Sequence, residues 1–313
     1  MAGLMLSQGT SFSPMMRTVR LNDGSDMPVL AFSADMSWRD PQRTKNATVA
    51  ALAAGFKFFW NSINIGEASQ RAMMQAVSAS QIPRSELYIA GSISTLVPGA
   101  QCTNEAHCYA MARAQAALQV ELLTLGGAPL DQLMVVDFPR TRDCALVRGP
   151  WRALEELKKA GKVKSLATAN LAVGDLAGSD GWKLRCLASL TPPAVSQEPF
   201  CIGHAHDPGR QALARNGGGI WLQAYSPLGH GTLLSDSRLA AIARIHNVST
   251  AAVALRWVTQ RNATLITNSD KPQHLTADTA IFDFTLSAAD LATLDAIRSS
   301  GMCGNWSAFD GAG

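Results

Sequence analysis

From Lys45 onward, short runs rich in β-formers alternate with longer segments of helical apolar period, and this alternation constrains the fold more than any other feature. A strand, a helix and a second strand in succession form a crossover between parallel neighbours, so repeated units of this kind build one parallel sheet. Helical patterns cover Lys45 to Ala54, Gln70 to Ala79, Glu105 to Leu125, Trp151 to Ala160, Arg238 to His246 and Thr250 to Gln260. Strand patterns fall at Phe56 to Trp60, Leu87 to Ala90, Gln132 to Val136, Val163 to Ala167, Ala194 to Ser196, Gly219 to Ala224 and Thr264 to Ile266. With Pro28 to Phe32 as an eighth strand, they suit an α/β fold of the closed (β/α)₈ barrel type. An open doubly wound sheet is the alternative, but no G-x-G-x-x-G follows the first strand and no phosphate-binding G-x-x-x-x-G-K-[ST] occurs.

Ahead of the repeats, Thr18 to Leu30 places two extended runs around Asn22-Asp23-Gly24, which reads as a hairpin plugging one end of the barrel. The expected organisation is an N-terminal extension over 1–17, a single barrel domain over 18–300 and a tail over 301–313. In such a barrel the functional face is the set of loops that follow the strands. Here those are Trp60 to Gly66, Gly91 to Ser94, Asp137 to Arg140, Thr168 to Leu171, Gln197 to His206, Tyr225 to His230 and Thr267 to His274.

The 313 residues are 47% hydrophobic and 16% charged, which excludes a disordered chain. A net charge of +3, with no basic block, lacks the footprint of a nucleic-acid binder. Apolar runs stop well short of the roughly 20 residues that span a bilayer, so no membrane insertion is expected. Met1 to Pro14 lack the charged and apolar regions of a secretory signal, which makes an intracellular, cytoplasmic location the default. Cys102, Cys108, Cys144, Cys186, Cys201 and Cys303 are scattered without a C-x-x-C pair and are read as reduced thiols. Glycosylation triplets begin at Asn46, Asn247, Asn262 and Asn305, but these carry no meaning without secretion.

Several segments share their order and spacing with one known family. They are Val19-Arg-Leu-Asn-Asp-Gly24 with Met27-Pro-Val-Leu30, Leu154 to Val163, Gln223-Ala-Tyr-Ser-Pro-Leu-Gly229, Ala254-Leu-Arg-Trp257 with Gln260-Arg261, and Phe282-Asp-Phe-Thr-Leu-Ser287. From about Thr18 to Ile297 the chain resembles an aldo-keto reductase. The resemblance implies a barrel that reduces carbonyls with hydride from a nicotinamide cofactor. It also implies a Tyr proton donor tuned by a Lys paired with an Asp, and a His that orients the carbonyl.

Those four residues are absent from the matching positions. In Gly55-Phe-Lys-Phe-Phe-Trp60-Asn-Ser-Ile-Asn-Ile65-Gly66, Trp60 stands for the Asp and Ile65 for the Tyr. In Leu87-Tyr-Ile-Ala-Gly-Ser92, Ser92 stands for the Lys, and in Gln132-Leu-Met-Val-Val-Asp137-Phe-Pro139, Asp137 stands for the His. An indole and a sec-butyl group cannot transfer a proton, and a serine hydroxyl is too weak an acid at neutral pH. Asp137 could replace the acid only if a dry pocket raised its pKa, and an ionised, hydrogen-bonded carboxylate is the plainer reading.

Cofactor positions match better. The resemblance assigns the nicotinamide amide to Asn170 and Gln197, ring stacking to Tyr225, the pyrophosphate loop to Ser226 and Leu228, and a further contact to Ser269. At the adenosine end, Asn268 and His274 replace the Lys and Arg that hold a 2′-phosphate, Asp270 and Asp278 add negative charge, and Lys271 is offset. No cofactor is therefore expected to be required, and any dinucleotide bound should be NADH, held weakly, rather than NADPH.

Cys201, His204 and His206 on one loop, and Cys102, His107 and Cys108 on another, lack a zinc spacing, so no metal site is expected. Trp38, Trp60, Trp221 and Trp306 could wall a ligand, though aromatics of this kind more often fill barrel interiors, and Trp60 with Ile65 could pack the former pocket shut. The expected function is a catalytically inactive, aldo-keto-reductase-like structural or scaffold subunit, with other protein subunits as partners. The alternative is a degenerate NAD(P)-dependent oxidoreductase or dinucleotide-binding sensor.

Overall fold

The computed structural model describes residues 17–34, 38, 40–97, 100–136, 138, 142–170, 182–204 and 219–298. A short antiparallel hairpin, β1 (Thr18–Arg20) and β2 (Asp26–Pro28), pairs Val19 with Met27. The expected turn closes it: Asp23 Oδ1 accepts from the Ser25 N–H at 3.0 Å, and Gly24 takes the positive φ of 84° that favours glycine.

The chain then runs through β3 (Leu30–Ser33), α1 (Pro41–Ala53), β4 (Phe58–Asn61), α2 (Glu67–Ala79) and β5 (Tyr88–Ser94). Next come a small hairpin, β6 (Leu96–Val97) with β7 (Ala100–Gln101), then α3 (Glu105–Leu123), β8 (Leu130–Val136), α4 (Cys144–Lys159) and β9 (Val163–Ala169). The last part holds α5 (Trp182–Cys186), β10 (Val195–Pro199), β11 (Trp221–Tyr225), α6 (Ser237–His246), α7 (Thr250–Gln260), β12 (Thr264–Thr267), α8 (Pro272–Thr279) and α9 (Ala288–Asp295).

Strands β3, β4, β5, β8, β9, β10, β11 and β12 pair in parallel and close into a barrel. This is the (β/α)₈ architecture expected from the strand and helix periods. The hairpin is shorter than Thr18 to Leu30, because Leu30 already pairs with Leu265 as the first barrel residue.

Strand residues divide between two layers, as their period of two requires. Ala31, Phe58, Trp60, Tyr88, Ala90, Met134, Val136, Ala167, Ala169, Val195 and Ile266 form one cluster that continues into Val19, Leu21 and Met27 of the hairpin. Leu30, Phe32, Phe59, Ile89, Leu133, Val135, Leu222 and Leu265 pack with the helices instead. The first set fills the lumen and the second seals the barrel against its outer ring.

Hydrogen bonds anchor the hairpin at the N-terminal end of the strands. Asn22 Nδ2 donates to Pro193 O at 2.9 Å, and Trp221 Nε1 donates to Arg20 O at 2.8 Å. Ser165 Oγ donates to Asp23 at 2.6 Å. Burial opposes the charge on Asp23, but bonds from Ser165 and Ser25, with Lys158 close by, hold its carboxyl below the usual range.

Several elements depart from the sequence reading. Helix α4 starts at Cys144 rather than Trp151 and runs through Pro150. A proline reads as a helix start, but Gly149, Pro150 and Trp151 are buried here, and packing outweighs the lost backbone bond. Helices α8 and α9 are additional to the helical patterns read from the sequence, and Ser287 and Asp290 form a complete capping box at the start of α9.

The described cysteines are not the reduced thiols expected from the sequence. Cys102 bonds Cys108, Cys144 bonds Cys186, Cys201 is also disulfide-bonded, and no described cysteine is free. Cys102 meets Cys108 where the loop enters α3, 6 residues apart, whereas Cys144 and Cys186, 42 residues apart, are brought together by α4 and α5. Among the described residues no helix is long and apolar enough to cross a membrane.

At the α3–α4 crossing, a Cβ added to Gly149 would lie 2.5 Å from Glu105 O, and 3.0 Å from both Cys108 Cβ and Tyr109 N. Two of these atoms are backbone and cannot rotate away. Gly149→Ala is expected to cost about 2–3 kcal/mol, read as a lower midpoint in urea unfolding. An unchanged midpoint would mean the helices separate freely at this crossing.

Candidate functional site

The C-terminal rims of the strands carry the residues singled out from sequence. Strand β4 delivers Trp60 to the lumen, where it is 9% exposed and packs in the same cluster as Ala90, Met134, Val136 and Ala169. Its Nε1–H is buried with no acceptor among the described residues. After the strand, Ser62 caps a short turn over Ile63–Ile65 by accepting from the Asn64 N–H at 3.1 Å, and Gly66 turns the chain with φ 82°.

Ile65 does not join Trp60 in the lumen. It is 5% exposed and belongs to the layer between barrel and helices, so the mouth is packed by Trp60 without it. An apolar side chain gains nothing by facing a polar rim and follows the turn toward other apolar groups. Ser92, fully buried on β5, accepts from the Ile63 N–H at 2.9 Å. Its hydroxyl thus holds the turn that follows Trp60. Asp137 lies outside the described residues, as do residues 1–16, 139–141, 171–181, 205–218 and 299–313.

The three residues matched to the nicotinamide site come together on adjacent strands. Asn170 follows β9 in a left-handed conformation, φ 57°, and its N–H donates to Gln197 O at 2.9 Å. Tyr225 Oη donates to Asn170 Oδ1 at 2.7 Å, and Gln197 Nε2 donates to Gln223 Oε1 at 3.0 Å. Ser226 also has positive φ, 50°, and the Gly229 N–H donates to its carbonyl at 3.0 Å. Leu228 is half-buried at this turn.

At the start of α8, Ser269 Oγ accepts from the Lys271 N–H at 3.1 Å, while Asn268, Lys271 and His274 are exposed. The charges here differ from the sequence reading. Asp270 does not present a bare carboxylate: Arg43, from α1, reaches it with Nη2 at 2.6 Å and Nε at 2.8 Å. The hydrogen bonds from Arg43 lower the Asp270 pKa. The Arg43 guanidinium stacks over Trp38 at 4.8 Å. Nothing in the local sequence around residue 270 points to Arg43, which is more than 200 positions away.

Asp278 is not a plain negative charge either. It is 8% exposed beside Thr267, and burial pushes its carboxyl up to about 7 against the opposing effect of the Thr267 hydroxyl. The region matched to the 2′-phosphate therefore holds the Arg43–Asp270 pair, the buried Asp278 carboxyl with its raised pKa, and the exposed Asn268, Lys271 and His274. Asn268 and His274 leave no permanent cation at the two positions that the resemblance assigns to the 2′-phosphate, while Arg43 and Lys271 bring positive charge from beside them. Asn268 and His274 fit that phosphate less well than the Lys and Arg that the resemblance implies at their positions. The two suggested metal clusters are also altered, since Cys102, Cys108 and Cys201 are tied up in disulfides.

A closed eight-stranded parallel barrel with a hairpin at one end and a ligand rim at the other defines the class. Residues 36–299 match the model of the aldo/keto reductase family, and the chain belongs to that family. An aldo-keto reductase of Mycolicibacterium smegmatis is 29% identical over 286 residues, covering 90% of each chain. The crystal structure of an aldo-keto reductase from a Medee basin deep-sea metagenome library superposes with TM-score 0.75 at 24% identity, over 90% of this chain and 94% of the other. That of a Gox0644 mutant in complex with NADPH gives 0.74 at 21%, over 91% and 94%.

Proposed function

We propose that this family member is a pseudoenzyme retained as a structural subunit of a larger assembly, with no cofactor required and other protein subunits as its partners. The observation that carries the reading is at the rim. Trp60 fills the lumen where the resemblance places a carboxylate, and Ser92 commits its hydroxyl to the Ile63 backbone. With Ile65 turned toward the helices, no described group at these positions can deliver a proton to a carbonyl.

A second reading, a dinucleotide-binding sensor, is favoured by the clustering of Asn170, Gln197 and Tyr225 and by the acceptor-free Trp60 Nε1–H. Titration with NADH and with NADPH, followed by Trp fluorescence and calorimetry, separates the two. Weak or absent binding, with NADPH no tighter than NADH, is the expected result. Tighter NADPH binding that disappears in Lys271→Ala would favour the sensor and overturn the reading of the α8 loop. Turnover of common aldehydes with either cofactor should not exceed a heat-treated control. Cofactor oxidation that disappears in Asp137→Asn would make Asp137 a replacement acid and end the pseudoenzyme reading.

A further inference from the structure

Arg256, on α7, is only 5% exposed, yet it pairs with no carboxylate among the described residues. Its Nη1 donates to Thr259 Oγ1 at 3.5 Å and its Nη2 to Thr285 Oγ1 at 3.3 Å, both long contacts, and its Nε–H is buried without an acceptor. A buried guanidinium is costly unless an opposite charge or a full set of acceptors meets it, and neither is supplied here. By contrast Arg20, Arg43, Arg84 and Arg261 each reach a carboxylate.

A second cation stands beside the first. The Arg256 Cζ lies 5.9 Å from the centroid of the Phe282 ring, and the Arg17 Cζ lies 5.3 Å from the same centroid. Burial, and after it the charge of Arg17, lower the Arg256 pKa. Arg17 is exposed and likewise has no acidic partner among the described residues.

Arg17 and Phe282 also line a cleft of about 360 Å³, open to solvent, where β3 and β4 begin. Leu30, Ala54 and Phe56 make its wall apolar. Helices α1 and α8 end here, near Ala54 and Thr279, but neither arginine side chain hydrogen-bonds to their last carbonyls. Two cations without acids, beside an apolar wall, suit an anion that carries a hydrocarbon body.

We propose that this cleft, at the end of the barrel away from the C-terminal rim, binds a small monocarboxylate. Arg17 and Arg256 hold the carboxylate, and the hydrocarbon body lies against Leu30, Phe56 and Phe282. The negative charge offsets the repulsion between the two arginines, and a guanidinium meets a carboxylate through paired N–H groups. Inorganic phosphate fits less well, because the apolar wall leaves its remaining oxygens without donors.

Calorimetric titration of the purified full chain with sodium hexanoate, at an ionic strength held constant with sodium chloride, tests the site. Saturable binding of one hexanoate is expected, with acetate at least about tenfold weaker for want of a hydrocarbon body. Arg17→Gln should weaken hexanoate binding about tenfold or more, through loss of a charge-assisted contact. Because Arg17 is exposed and its nearest charge is a like one, this variant should unfold without ligand at a temperature no lower than the wild type. Arg256→Lys keeps the charge but loses the fork, and should also weaken binding. No hexanoate binding above the chloride control, equal binding in Arg17→Gln, or phosphate binding as tightly as hexanoate overturns the proposal.

Discussion

Trp60→Asp and Ser92→Lys are each expected to destabilise the barrel by roughly 3–5 kcal/mol, while the double variant loses clearly less than the two losses together. Each single change puts an unpaired charge among apolar side chains. Trp60 packs with Ala90, Met134 and Val136, and the Trp60→Asp change also empties the volume of an indole. Trp60 pairs in register with Ala90, and Ser92 is the next residue of β5 on the same side. An Asp at 60 and a Lys at 92 would therefore face each other across neighbouring strands. Coupling of about 1.5 kcal/mol or more in a double-mutant cycle, measured by urea unfolding, is the expected signature. Additive losses would mean that the two positions do not face one another and are not the Asp and Lys positions implied by the resemblance. No carbonyl reduction should return in any member of the cycle, because the catalytic set works as a unit and positions 65 and 137 stay unchanged.

The second large effect is on pH dependence. Burial pushes the Asp278 carboxyl up to about 7 in the fold, from an ordinary value of 3.8. A raised acid pKa means that the folded state holds a proton the unfolded state has released. Stability from this group is therefore intact below about pH 4, falls as pH rises between the two values, and is fully lost above about 7. The span corresponds to about 4 kcal/mol. Asp278→Asn removes the titration, so variant and wild type should differ little at pH 4 and the variant should be more stable by a few kcal/mol at pH 8. Urea unfolding of both proteins across that range gives the comparison, in which all other titrating groups cancel. Parallel stability curves would show that Asp278 is ionised in the fold.

Much of this architecture is legible in the residues because it depends on local period. A run such as Phe58-Phe59-Trp60 must divide its side chains between lumen and helix layer once it is a strand, and the helical periods between strands supply the crossovers. The Asn22-Asp23-Gly24 turn carries its conformation in its own chemistry. Pro150 misleads for the same reason, since its local preference is to start a helix, and burial of its neighbours overrides it.

The candidate site divides along the same line. That Trp60, Ile65 and Ser92 stand where the resemblance implies an Asp, a Tyr and a Lys is legible in the chain, and none of the three is a good proton donor at neutral pH. Where Ile65 goes, what Ser92 holds, and how Asn170, Gln197 and Tyr225 meet are decided by the register of neighbouring strands. The pairing of Asp270 with Arg43, the half-neutral state of Asp278 and the disulfides at Cys102, Cys108, Cys144 and Cys186 belong wholly to the tertiary structure. Charge state and covalent pairing depend on which distant groups lie within a few ångströms, and no local pattern encodes that distance.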